Sequence, residues 1–414
     1  MVRSWVEVST TSPFPIANLP YGVVTTDDRP RPSVVVRIGD HVLDLRAVSE
    51  LGHLDKHLPA AASLFSIGSL DALLAAGPAT WRQLRDGVTA LLVDDGSGIP
   101  AWANDALFPV AGASVHLPFT VADYVDFYSS QQHAENVGAI FRPDAPALPE
   151  NWKSLPIGYH GRSGTVVVSG TPVVRPHGQR RPRGAVVPSF GPSQRLDIEC
   201  EVAFVVGVGS RLGEPVATTA FADHVFGVML LNDWSARDIQ AWEYQPLGTF
   251  LGKSFATSVS PWVVPLAALA AARVPPPLQD PPVFDYLADP DAWSLDLGLE
   301  IRLNGALVSR PPFRTQYWTP GQQLAHLTVN GASLRTGDVF ASGTVTGPSR
   351  DQRGSFLELS WGGQEPFDVG DGTSRTFLED GDTVSISGWA SGTDGSRIGF
   401  GEVVGTVLPA HQSS

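Results

Sequence analysis

Cysteine is almost missing: Cys200 is the only one in 414 residues. An intramolecular disulfide and a cysteine-ligated zinc site are therefore excluded. Lysine is scarce too. Lys56, Lys153 and Lys253 are the whole set, and arginine carries the rest of the positive charge. Charged residues make up 17% of the chain, below the ~25% of an ordinary globular protein. Positive charge is outnumbered, 28 Lys and Arg against 42 Asp and Glu, for a formal net charge of −14. That balance repels a phosphate backbone and argues against a nucleic-acid partner. Long apolar runs are lacking. The run Val225 to Leu231 falls far short of the ~20 residues that span a bilayer, so no membrane partner is expected. The stretch from Met1 to Val6 has no basic segment leading into an apolar one, which leaves the cytoplasm as the expected location.

Glycine and proline are plentiful, with 42 and 35 residues. Together they exceed the ~12% average share without reaching the ~25–30% of low-complexity chains. This composition suits a folded, turn-rich protein with much β structure. It does not suit a helical bundle or a disordered tail. At ~100–200 residues per domain the length predicts two or three domains, or one large domain with an appendage. No internal repeat is visible.

Residues 1–115 read as a small first domain. The runs Val34–Ile38 and His41–Leu45 flank a Gly39-Asp40 turn, a hairpin signal. Ser69 to Gly77 reads as a short helix with a serine cap and a glycine stop. Thr80 to Leu92 reads as a second helix with Leu84, Val88 and Leu91 on one face. Residues 116–414 form the second domain. Short β runs broken by Gly and Pro recur there: Gly164 to Val168, Asp197 to Val206, His224 to Asn232, Leu297 to Leu303, Val339 to Ser342, Phe356 to Trp361 and Thr383 to Trp389. They predict a large mixed β architecture. The alanine-rich stretch from Ala267 predicts a short helix ending in a proline loop. Residues 411–414 read as a frayed tail.

Several constellations could carry chemistry. Alternation on a strand points Glu199 and Glu201 one way and Cys200 the other. Two adjacent glutamates mark either a solvent-facing edge or a hard-cation site, since Mg²⁺ and Ca²⁺ take carboxylate oxygens. The apolar run Val202 to Val206 favours the cation, because a buried strand would not tolerate bare glutamates. Asp233, Arg237, Gln240 and Tyr244 share one stripe if the segment is helical, forming either a solvated face or a binding wall. Gly252-Lys253-Ser254 lacks the upstream glycine of a phosphate loop, because position 247 is Leu. Lys253 still reads as a placed cation. In the segment from Asp123 to Arg142, Tyr124, Asp126 and Tyr128 alternate as on a strand, and Ser129 or Ser130 can cap a helix. His133 would then share a face with Val137, Ile140 and Phe141. It is either a satisfied core histidine or a general base, and the second role needs a carboxylate to orient its ring. Glu358, the single charge in an apolar strand, is a candidate for that role, or else an outward residue on a two-faced strand. The hydroxyl-rich run Ala341 to Pro348 could present N–H groups and the Thr344 hydroxyl to a ligand carboxylate.

These segments together closely resemble the fumarylacetoacetase family. The resemblance rests on Asp-Phe-Tyr-Ser-Ser followed by Gln-His (126–133), Asn-Val-Gly (136–138), Gly-Tyr-His-Gly-Arg (158–162), Val-Val-Val-Ser-Gly-Thr-Pro (166–172) and Glu-x-Glu (199–201). It continues through Asn-Asp-Trp-Ser-Ala-Arg-Asp-Ile-Gln (232–240), Leu-Gly-Lys-Ser-Phe (251–255), Ala-Ser-Gly-Thr (341–344) and Leu-Glu-Leu-Ser-Trp (357–361). Length and the extra N-terminal domain match the full-length type. The resemblance implies an SH3-like N-terminal barrel plus a large mixed β-sandwich roll, assembled as a homodimer. It implies that Asp126, Glu199, Glu201 and Asp233 bind a divalent cation, magnesium or calcium (Mg²⁺, Ca²⁺). Lys253, through its backbone oxygen, and Thr257 would serve a second cation position that shares Asp233. His133 would be the base, oriented by Glu358, with Arg237, Gln240 and Lys253 stabilising an oxyanion. Tyr128, Arg142, Tyr159, Gln240, Tyr244 and Thr344 would contact the substrate. Gln131 and Glu135 depart from the family pattern, outside the motif positions. The implied reaction is hydrolytic C–C cleavage of the 1,3-diketone 4-fumarylacetoacetate to fumarate and acetoacetate, the last step of tyrosine and phenylalanine degradation. Two alternatives stand beside it: an acylpyruvate hydrolase or keto-acid decarboxylase of the same superfamily, and a non-catalytic metal-binding structural protein.

Overall fold

The computed structural model describes residues 3–412 apart from Ala60, Arg183 and Asp371. The expected tail at 411–414 therefore lies partly outside the described residues, as do Met1 and Val2.

The predicted hairpin forms. Arg29–Ile38 pairs antiparallel with His41–Asp44, and Ile38 sits opposite His41. A two-residue turn of this kind needs a left-handed backbone, and Gly39 supplies it at φ +55°. These two strands lie within a five-stranded sheet completed by Leu107–Pro109 on one side and by Tyr21–Thr26 and Ser114–His116 on the other. The helices beside it differ from expectation at their ends. The first runs Asp71–Ala75, and the second runs Gly77–Leu92, starting at Gly77 and not at Thr80. Gly77, at φ +86°, breaks the chain direction between the two, so one glycine both ends the first helix and opens the second. Pro78 then fits the first turn, where its missing N–H costs nothing.

An eight-stranded sheet forms the centre of the molecule. Its middle strands, Cys200–Val206 and Val225–Asp233, pair antiparallel and are buried along their whole length. Their alternation explains why. Cys200, Val202, Phe204 and Val206 enter a core shared with a second five-stranded sheet that includes Leu297–Leu303, Thr383–Ser391 and Arg397–Leu408. Ala203 and Val205 enter another core, shared with Val34, Val36, Leu73 and Leu84 of the N-terminal part. Both faces are covered, so the strands read as unbroken apolar runs. The alanine-rich stretch forms the 3-10 helix Leu266–Ala272.

One predicted strand is not a strand. Within Phe356 to Trp361 the chain makes a single helical turn, Phe356–Leu359. Ser355 Oγ accepts from Glu358 N at 3.3 Å, and Asp197 accepts from the N–H groups of Phe356 and Leu357 at 2.7 and 3.0 Å. Capping of these donors overrides the local apolar pattern.

The run after Val339–Ala341 turns sharply at Gly343, with φ +76°. A Cβ there would sit 2.1 Å from the carbonyl oxygen of Phe127. Gly343→Ala is therefore expected to destabilise the protein by about 1 kcal/mol or more, read as a lower Tm in thermal denaturation. An unchanged Tm would contradict this account of the turn.

Candidate active site

The sheet gathers acidic side chains at one end. Asp126 lies on Tyr124–Phe127, Glu201 near the start of Cys200–Val206, Asp233 at the end of Val225–Asp233, and Glu199 just ahead of the second of these strands. Antiparallel pairing sets Cys200 opposite Asn232 and Asp233 opposite Thr257, which brings the strand ends together. One carboxylate oxygen from each of Asp126, Glu199, Glu201 and Asp233 lies within 4.8 Å of the others, and all four residues are buried. Cys200 faces away into the apolar core, where burial pushes its thiol up. It has a packing role, as the strand alternation predicts.

Two cations enter this cluster. Lys253 Nζ is bonded to Glu199 Oε2 and lies 2.5 Å from Asp233 Oδ2 and 3.5 Å from Asp126 Oδ2. Burial alone would push the ammonium down, but Asp233, Glu199 and Asp126 together hold it well above the ordinary lysine range. Arg237 Nη1 reaches Glu199 Oε1 at 2.7 Å. Burial would raise the Glu199 carboxyl, and Lys253, Arg237 and His133 overcome that and depress it. Asp126, Glu201 and Asp233 go the other way. Burial, reinforced by neighbouring carboxylates, raises each of them despite Lys253. Among the described residues, Asp126 Oδ1 and Glu201 Oε1 are buried without a hydrogen-bond partner. An all-oxygen set with orphaned acceptors fits a hard divalent cation. Thr257 Oγ1 donates to Asp233 Oδ1 at 3.1 Å.

His133 sits in the first turn of the helix Gln131–Phe141, capped by Ser130 Oγ. Its Nδ1 is 2.7 Å from Glu358 Oε2. Since a carboxylate only accepts, Nδ1 carries the hydrogen and Nε2 is left as the basic nitrogen. Glu358 is fully buried. It also accepts from Ser355 Oγ at 2.7 Å, Thr346 Oγ1 at 3.0 Å and Asn136 Nδ2 at 2.9 Å. Burial would raise its pKa, yet His133 and these donors hold it below the ordinary carboxylate range. His133 Nε2 lies 3.8 Å from Glu199 Oε1, so the dyad and the acidic cluster adjoin.

Both open onto one cavity of about 740 Å³, lined by Asp126, Tyr128, His133, Arg142, Tyr159, Glu199, Arg237, Gln240, Tyr244 and Lys253. Val137, Phe141 and Ile157 add apolar wall. The helix face carrying His133, Val137 and Phe141 thus borders this cavity. Glu201, Asp233, Thr257 and Glu358 are buried and do not line the cavity. Thr344 is buried and is not among the lining residues. The stripe predicted over 233–244 is shorter than expected. The helix is Arg237–Glu243, Asp233 ends a strand, and Tyr244 is the cap. Pairing of Ser235–Ala236 with Leu196–Asp197 keeps the chain extended past Asp233 and delays the helix. Arg237 and Gln240 still share its inner face, with Arg237 Nη1 donating to Gln240 Oε1 at 3.0 Å. The Gly252-Lys253-Ser254 segment places its lysine among carboxylates, surroundings that repel a phosphate. Sequence reasoning assigned nothing to Asp197, Thr346 and Ser355. The available signal was an aspartate two residues before Glu199, followed by apolar Ile198.

The family model described as fumarylacetoacetate (FAA) hydrolase C-terminal matches residues 123–408, and the one described as fumarylacetoacetase N-terminal matches residues 17–118. The chain is 48% identical to the fumarylacetoacetase of Homo sapiens, over 98% of this chain and 99% of that one. It is 44% identical to that of Arabidopsis thaliana, over 99% of each chain. A solved fumarylacetoacetate hydrolase from Exiguobacterium antarcticum shares the fold, with a TM-score of 0.54 at 17% identity, covering 95% of this chain and all of that one.

Proposed function

This chain belongs to the fumarylacetoacetase family, and from that premise we infer that it cleaves a C–C bond of 4-fumarylacetoacetate by hydrolysis, giving fumarate and acetoacetate. It is a hydrolase acting on a ketonic C–C bond, with a small-molecule substrate. The observation that carries the reading at the level of chemistry is the His133–Glu358 pair, set beside four buried carboxylates in one cavity.

Asp126, Glu199, Glu201 and Asp233 would hold the divalent cation, Mg²⁺ or Ca²⁺, with Thr257 and the Lys253 backbone oxygen serving a second position that shares Asp233. When bound, such an ion supplies Lewis-acid polarisation of the diketone oxygens. The remaining work falls to side chains. Glu358 fixes the His133 tautomer, and Nε2 takes a proton from water. The resulting hydroxide attacks the carbonyl of the fumaryl group. Arg237, Gln240 and Lys253 donate to the oxyanion that forms. Arg237 Nη2 has no partner among the described residues, which leaves it available for that purpose. The C–C bond then breaks, and the acetoacetate enolate leaves and is protonated. Tyr128, Arg142, Tyr159 and Tyr244, which line the cavity, hold the anionic substrate; Thr344, buried and not among the lining residues, is left without a contact role.

The family resemblance also supports a homodimer, an SH3-like domain over 1–115 and a catalytic domain over 116–414, and the cytoplasm stands as the proposed location. Among the described residues, no helix is long and apolar enough to cross a membrane. Following loss of diketone absorbance on a substrate panel tests the reading. Fumarylacetoacetate is expected to turn over faster than an acylpyruvate or a keto acid. The reverse order would overturn the assignment.

A further inference from the structure

Asp197 is fully buried, and the roles above leave it unused. Its oxygens face two parts of the site at once. Oδ2 accepts from Arg237 Nε at 2.7 Å and from Leu357 N at 3.0 Å. Oδ1 accepts from Phe356 N and from Ile198 N, each at 2.7 Å. The acceptor sites of the carboxylate are thus filled by four donors. On one side, Arg237 lines the cavity and continues to Glu199 and Gln240. On the other, Phe356 and Leu357 open the four-residue turn Phe356–Leu359, which carries Glu358 and through it His133. A single helical turn does not sustain itself, because nucleation is unfavourable and its first N–H groups lack internal acceptors. Asp197 accepts two of those N–H groups.

We propose that Asp197 is a positioning residue: one carboxylate ties the cavity donor Arg237 to the turn that presents Glu358, fixing the oxyanion donor relative to the oriented base. The proposal rests on the hydrolase reading above. A displacement of about 1 Å in such a constellation can cost about 10²-fold in rate.

The test compares wild-type protein with Asp197→Asn and Asp197→Glu. Asparagine keeps the size but turns an NH₂ group toward two of the four donors, so either Arg237 and Leu357 or Phe356 and Ile198 lose their acceptor, and the other two lose the negative charge of theirs. Glutamate keeps the charge but moves the oxygens by one methylene. Both variants are expected to lose about 10²-fold in kcat, with KM within a few-fold of wild type and a native near-UV circular dichroism spectrum. Combined with Arg237→Lys, the Asp197→Asn loss is expected to be smaller than the product of the two single losses. Should Asp197→Asn not fold, Asp197→Glu carries the same comparison. Wild-type kcat retained in a folded variant would overturn the proposal. So would a loss fully matched by the loss of folded protein, rescue by glutamate of an asparagine defect, or fully multiplicative effects. Wild-type turnover of fumarylacetoacetate is measured first. Its absence overturns the hydrolase reading, whereas its presence with an unaffected Asp197→Asn overturns only the positioning role.

Discussion

His133→Ala is expected to lower kcat by about 10²–10⁴-fold, the usual worth of a positioned general base, while cation and product-analogue binding stay measurable. The ring is buried, with Nδ1 against Glu358 and a T-shaped contact to Tyr128 at 5.2 Å between centroids. Alanine is the best helix former, so the helix Gln131–Phe141 should survive the change. Glu358 would keep Ser355, Thr346 and Asn136 as donors. What disappears is the only basic nitrogen that the dyad offers to water. Turnover assays paired with calorimetric titration of the cation and of a product analogue check this. Binding and turnover falling together would make His133 a structural residue.

Chelation is expected to abolish turnover, with Mg²⁺ or Ca²⁺ restoring it and raising the Tm of the stripped protein. The reason lies in the electrostatics of the cluster. Asp126, Glu201 and Asp233 have folded-state pKa values raised by burial and by neighbouring carboxylates, Glu199 among them in each case. A group of that kind favours folding while protonated, and the contribution is lost as pH rises through its folded value. Stripped protein should therefore weaken as pH climbs above the ordinary carboxylate range. A cation needs the oxygens deprotonated, so its stabilising effect should grow over the same climb. Thermal melts with and without cation across that range check the sign. Full activity after exhaustive metal removal would contradict the metal assignment, and so would a cation-induced shift in Tm that does not grow with pH.

The parts of the fold set by local rules were legible in the sequence. Gly39-Asp40 between two aliphatic runs gives the hairpin, and the alternation around Glu199, Cys200 and Glu201 gives their opposite orientations. The scarcity of lysine also proved informative. Lys253, one of three, lies in the acidic cluster. A −14 chain opposes an anionic substrate, so Arg142, Arg237 and Lys253 must reverse the field locally. What was not legible depends on distant partners. Phe356 to Trp361 has the composition of a strand, and only donors capped by Asp197, far off in sequence, make it turn. Asp233 reads as the start of a helix until the pairing of Ser235 with Asp197 delays it. The contribution of Asp197 itself cannot be read locally, because every group it joins except Ile198 lies tens of residues away.

Hydrolytic cleavage of one diketone at one site is decided by incubating the metal-replete protein with 4-fumarylacetoacetate, with and without chelator, and quantifying the products. The account predicts fumarate and acetoacetate in equal amounts, formed only in the cation-replete sample. Persistence of the diketone in that sample, or release of carbon dioxide in place of the two acids, would contradict it.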